Sequence, residues 1–176
     1  MFNPTDFPEP TIIPVNGVEL EVFEAGRENT TPIVLCHGWP EHAFSWRHQM
    51  PALAAAGYHV IVPNQRGYGN SSRPVDVTDY DIAHLTGDLA ALLDHFGYDT
   101  ATFVGHDWGA NVVWGMALLH PDRVDAVINL ALPYQERGEQ PWHARASVQV
   151  GADAAHREVG CRSHGDLVAG EIESVR

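Results

Sequence analysis

Lysine is absent from the 176 residues. Arginine supplies all 10 basic side chains, against 23 aspartates and glutamates, for a formal net charge of −13. So acidic a chain is poorly suited to neutralise a phosphate backbone, which argues against a nucleic-acid partner. The charge serves solubility instead. Cysteine is scarce too, with only Cys36 and Cys161, far apart in sequence. That excludes a disulfide framework, and Cys36, ending an apolar run, is expected to be a small buried hydrophobe. No apolar run approaches membrane-spanning length. Met1 to Asp6 lacks the basic region and apolar core of a secretory signal. These absences predict a cytoplasmic protein without a membrane partner.

Hydrophobic residues make up 44% of the chain, enough for one globular core. Thr11 to Val15 and Val18 to Ala25 bracket Asn16-Gly17, and Asn-Gly between apolar runs predicts a two-residue hairpin. Ile33 to Cys36 is continuously apolar, as a strand buried on both faces should be. Residues 42–55 predict a helix with Phe44, Trp46, Met50 and Leu53 inward, broken or kinked at Pro51. Tyr58 to Val62 is the next strand. Ile82, Leu85, Leu89, Leu92, Leu93 and Phe96 recur at three- and four-residue steps. They predict a helix from Tyr80 to Phe96, capped by Asp79 and ended by Gly97. Ala101 to Val104 predicts a strand, Asn111 to His120 a helix, and Val124 to Leu130 a sixth strand. This alternation predicts an α/β fold, a doubly wound and mostly parallel sheet.

Gly105-His106-Asp107-Trp108-Gly109-Ala110 joins the fifth strand to the helix after it. Small residues two positions either side of a central Asp suit a sharp strand-to-helix elbow that exposes one strained side chain. A bland alternative is an ordinary Asp N-cap. Where the elbow holds Asp, attack on an ordinary ester would give only a reactive anhydride. Attack on a saturated carbon, in an epoxide or an alkyl halide, gives a stable alkyl ester that water can cleave. Asp107 is therefore the candidate nucleophile, kept ionised by the helix N-terminus. The backbone N–H groups of Trp39 and Trp108 are the candidate oxyanion hole. The Trp108 indole could also face a halide.

Two further stretches accompany the elbow: His37-Gly38-Trp39-Pro40-Glu41 after the third strand, and Arg66-Gly67-Tyr68-Gly69-Asn70-Ser71-Ser72 after the fourth. In this order and spacing the chain resembles the N-terminal half of the α/β-hydrolase epoxide hydrolases over about residues 8–142. It is similar, less closely, to haloalkane dehalogenases. One departure is Asn64, where that family often has Asp. The resemblance implies an α/β-hydrolase core and hydrolysis of an epoxide to a vicinal diol through an ester on Asp107, without metal or organic cofactor. Its small-molecule substrate would be an epoxide or, in the alternative, an alkyl halide. It also implies that His37, Gly38, Pro40, Gly105 and Gly109 frame the site, His37 as a structural histidine. His106 is expected to bond locally and not to catalyse.

The same resemblance implies a helical cap and two further strands bearing an acid and the histidine that activates water. Residues 143–176 contain no aromatic residue and show no likeness to these. No residue is assigned as general base or acid. After the sixth strand stand His143, His156 and His164, with Asp153 and Asp166 as carboxylates that could pair with them. Some dehalogenases place the orienting acid just after strand six, where this chain has Ala131 and Leu132. The expectation is a core of residues 1–142, incomplete on its C-terminal side, then a poorly ordered tail. An inactive fragment without turnover is the non-enzyme alternative. The expected origin of this pattern is a truncated or frameshifted reading frame. It predicts that the coding DNA carries cap-like sequence further on, and finding none in any frame would refute it.

Overall fold

The computed structural model describes residues 7–133. Six strands form one sheet: β1 (Thr11–Val15), β2 (Val18–Ala25), β3 (Thr31–Cys36), β4 (Tyr58–Pro63), β5 (Ala101–His106) and β6 (Val124–Leu130). Their order is β1-β2-β4-β3-β5-β6. β1 pairs antiparallel with β2, and β2 with β4, whereas β4, β3, β5 and β6 run parallel. The predicted mostly parallel sheet is what forms. Asn16 and Gly17 both take positive φ, 44° and 78°, as the twist-matched hairpin turn demands.

Helices cover both faces. A 3₁₀ turn (Ala43–Trp46) and α1 (Gln49–Ala55) lie on one, where Ala43, Trp46 and Met50 pack against Ile33, Leu35, Val60, Val62 and Val104. α2 (Ile82–Phe96) and α3 (Trp108–Leu119) lie on the other, bringing Leu89, Leu92, Leu93, Val112, Val113 and Met116 onto Val34, Cys36, Ile61 and Phe103. Neighbouring strand residues thus alternate between two cores, which is why β3 is apolar throughout. Each fully buried aliphatic side chain contributes roughly 1.5–3 kcal/mol. Burial pushes the Cys36 thiol up to about 12, consistent with a packing role.

Several predicted boundaries shift. The helix predicted over 42–55 divides ahead of Pro51. Pro51 has no N–H to offer the carbonyl four residues back, and its ring clashes there. Within the first turn of α1 it is tolerated, since those N–H groups have no intrahelical partner. Asp79 does not cap α2; it sits in the preceding 3₁₀ turn (Val77–Tyr80), and Asp81 accepts the His84 N–H at 2.9 Å. Gly97 ends α2 in the left-handed conformation, φ 75°. The third helix begins at Trp108, ahead of Asn111, directly against the elbow.

Two buried polar clusters fasten the loops. Arg66 donates to Asp88 through Nε (2.7 Å) and Nη2 (2.6 Å), with both side chains buried. Asn16 donates to Asp88 Oδ1 (2.9 Å), tying the hairpin to α2. The second cluster centres on Glu21. Asn64 Nδ2 and Asn70 Nδ2 each donate to it at 2.6 Å, and the Asn70 N–H at 2.9 Å. Burial pushes the Glu21 carboxyl up, but these bonds outweigh it and hold the carboxyl below its usual range. Asn64 also accepts the Ala43 N–H at 2.6 Å. An amide satisfies both neighbours at once, so the departure at this position has a local physical reason.

Asn64→Asp should therefore set two carboxyls against each other. One must hold a proton in the folded state, raising its pKa above the unfolded value of about 4. The contribution of that group is present at low pH and lost as pH rises. In thermal melts the Tm deficit against the parent should widen from about pH 4.5 to about pH 8. An equal deficit at both would contradict this.

Candidate functional site

β3 leads to β4 on one side and β5 lies on the other, so the chain reverses direction across the C-terminal ends of β3 and β5. Crevices in doubly wound sheets form at such switch points. The His37–Glu41 loop leaves β3 here, and Asp107 follows β5. Cys36 pairs with Gly105 across the two strands, which fixes the loops side by side.

Asp107 takes φ 52° and ψ −121°, a sparsely populated conformation costing on the order of 1–3 kcal/mol. Its backbone is held from both sides: its N–H donates to Leu130 O (3.2 Å) and its carbonyl accepts the Ala110 N–H (2.9 Å). The side chain is half-buried, and Oδ1 accepts the Trp39 N–H at 2.9 Å. The Trp39 and Trp108 amides hold the carboxyl below its usual range, and His106 adds to this. Asp107 occupies the N-cap position of α3, but its side chain makes no capping hydrogen bond there. The indoles of Trp39 and Trp108 are exposed, at 66% and 62%.

Three glycines make the approach possible. A Cβ on Gly38 would stand 2.6 Å from Asp107 Cβ. One on Gly105 would meet Ala110 Cα at 2.7 Å, and one on Gly109 would press on the Cys36 carbonyl and meet His37 O at 2.7 Å. The Trp39–Pro40 peptide is cis. His37 is fully buried; Nε2 accepts the Gln65 N–H (3.1 Å), so Nδ1 carries the proton and donates to Gly38 O (2.9 Å). Burial lowers its pKa. A neutral imidazole with both nitrogens engaged fits the structural role expected of it. His106 bonds Glu41 Oε2 through Nδ1 at 3.1 Å, across 65 residues of chain.

Residues 31–149 match a family model described as alpha/beta hydrolase fold. The chain belongs to that family. It is 54% identical over 134 residues to epoxide hydrolase A of Mycobacterium tuberculosis, covering 76% of the chain and 42% of that protein. It is 49% identical over 128 residues to an epoxide hydrolase of Caballeronia sordidicola, covering 72% and 38% respectively. Against the crystal structure of epoxide hydrolase A from Mycobacterium thermoresistibile the TM-score is 0.73, with 53% identity over 76% of this chain and 42% of that one. The chain thus spans about two-fifths of the length of these relatives.

The site residues named from sequence come together as a group: Asp107, both tryptophan amides, His37, Gly38, Pro40, Gly105 and Gly109. His143, His156, His164, Asp153, Asp166, Cys161 and the predicted boundary after residue 142 lie outside the described residues. Ala131, at φ 75°, and Leu132 follow β6. Among the described residues no helix is long and apolar enough to cross a membrane. Sequence reasoning passed over Tyr68. Its ring packs edge-on to His37 (4.7 Å), and burial followed by the Asp107 charge raises its hydroxyl pKa. Its place in the Arg66–Ser72 turn was the available signal.

The glycine contacts make a direct prediction. Gly109→Ala sets a methyl against backbone atoms of Cys36 and His37, which only separation of α3 from β3 relieves. Overpacking of this kind costs about 1–3 kcal/mol, and the upper end is expected in urea unfolding. A loss below about 0.5 kcal/mol would show that the approach is soft.

Proposed function

We propose that this chain carries the nucleophile-bearing part of an epoxide hydrolase, with Asp107 attacking a ring carbon of the substrate. The observation that carries this is the Trp39 N–H on Oδ1 of a carboxylate fixed at a strained corner. Its relatives, named as epoxide hydrolases, support the substrate class. Oδ1 is engaged, so Oδ2 is the attacking atom. A carbon–oxygen bond forms to Oδ2, the ring carbon–oxygen bond breaks, and the alkoxide takes a proton from solvent water, which is returned when water later cleaves the ester. Oδ1 is then the carbonyl oxygen of the ester. When water adds to that carbonyl, the negative charge develops on the atom that already accepts the Trp39 N–H, with the Trp108 amide beside the same carboxyl as the second donor of the oxyanion hole. Collapse releases the diol and restores Asp107.

Ester formation is separately measurable. After incubation with styrene oxide, intact-mass and peptide analysis should find one added epoxide mass on the peptide containing Asp107, or diol where the ester turns over. Both should be lost in Asp107→Asn. The rate should stay level as pH falls through about 4, because the amides keep the carboxylate ionised below its ordinary range. A loss of rate at the ordinary carboxylate pKa would contradict the amide contribution. Halide release from a 1-haloalkane, with neither adduct nor diol from any epoxide, would replace this reading with a haloalkane dehalogenase.

A further inference from the structure

We infer that Glu41 is a positioning residue, whose carboxylate ties His106 to the loop bearing Trp39 and so sets the amide that meets Asp107. One oxygen, Oε2, does both jobs: it accepts the Gly38 N–H at 3.3 Å and bonds His106 Nδ1 at 3.1 Å. The Glu41 N–H donates back to Gly38 O at 3.1 Å, closing the loop over Trp39 and Pro40. Glu41 lies 65 residues from His106, and Trp39 lies 68 from Asp107. Two cross-links therefore join the same two segments, one through side chains and one through the catalytic amide.

The pair is partly exposed, with Glu41 at 33% and His106 at 40% of side-chain area. An exposed ion pair contributes little to stability, so the consequence lies in geometry. The loop also meets the site at Gly38, so closely that an added Cβ would stand 2.6 Å from Asp107 Cβ. Released at its Glu41 end, the loop keeps this contact but loses the tie on the far side of Trp39, and the Trp39 amide moves off Oδ1. Asp107 would then lose the bond that decides which oxygen attacks.

The readout through ester formation rests on the nucleophile assigned above, so the test pairs it with one that does not. Backbone hydrogen exchange at Trp39, followed by NMR, reports the bond to Asp107 directly. Glu41→Ala should speed exchange at Trp39 several-fold, to about tenfold, and leave the core amides of Leu35 and Val104 protected. Glu41→Gln keeps an oxygen able to accept from both partners and should restore the parent behaviour. His106→Leu, which keeps the Gly38 tie, should fall between. With styrene oxide, Glu41→Ala should slow Asp107 alkylation by about 10- to 100-fold at saturation, without changing the half-saturating concentration, and Gln should rescue it. Unchanged Trp39 exchange in folded Glu41→Ala overturns the inference. So does a Gln variant as impaired as Ala. Absence of both adduct and diol with the parent chain overturns the nucleophile assignment, and the exchange data still decide the role of Glu41.

Discussion

The bond from the Trp39 N–H to Asp107 Oδ1 links two segments 68 residues apart, and the fold around it is arranged so that it can form. Parallel pairing of β3 with β5 puts Cys36 opposite Gly105, so both chains leave the sheet at the same level. Gly38, Gly105 and Gly109 then remove the three side chains that would hold the segments apart. The positive φ of Asp107 turns its carboxylate toward the opposite loop. None of these features acts alone. A strained residue without the glycines would relax, and a close approach without the strain would present the wrong atoms.

The polar interior serves the same end at longer range. The turn after β4 carries Tyr68 onto His37, and it is fastened at both ends by buried groups: Arg66 to Asp88 on α2, and Asn70 with Asn64 to Glu21 on β2. Breaking a buried pair by deleting one partner typically costs about 3–5 kcal/mol, whereas the intact pair adds little over an apolar substitute. These groups are thus better understood as register marks than as sources of stability. They fix where the turn sits and, through His37 and Gln65, where the loop after β3 sits.

What the sequence reveals and what it hides follow the same physics. Ile33 to Cys36 is legible as a doubly buried strand because burial on both faces leaves no polar position. Asn16-Gly17 is legible because few other pairs tolerate two positive φ values. The elbow is legible because crowding imposes glycine at fixed spacing around Asp107. Asp79 and Asp81 are both competent caps two residues apart, and only the path of the preceding 3₁₀ turn decides between them. Asp88 lies beside Leu89 within a strongly periodic helix, and no local pattern names a partner 22 residues away. Glu41 and His106 are hidden for the same reason. Each is unremarkable in its own segment, and their pairing exists only once β3 and β5 are neighbours.

That Asp107 is held below its usual range chiefly by neutral amides, with His106 adding a smaller share, has chemical consequences. An arginine or lysine beside it would lower its pKa through Coulomb attraction, but would also hold both oxygens and compete with the electrophile. Deep burial would raise the pKa and waste the nucleophile as a neutral acid. Half-buried at a helix N-terminus, the carboxylate has one oxygen fixed and the other available. The residues that create this state lie between Cys36 and Glu41, between Gly105 and Ala110, and at Leu130, and the proposed attack on carbon draws on them for its geometry. Cleavage of the ester makes a different demand, an imidazole free to take a proton from water. Within this stretch His37 has both nitrogens engaged and His106 faces Glu41 through Nδ1. The two halves of the proposed cycle thus place their requirements on different groups, and the first draws on the segments described here.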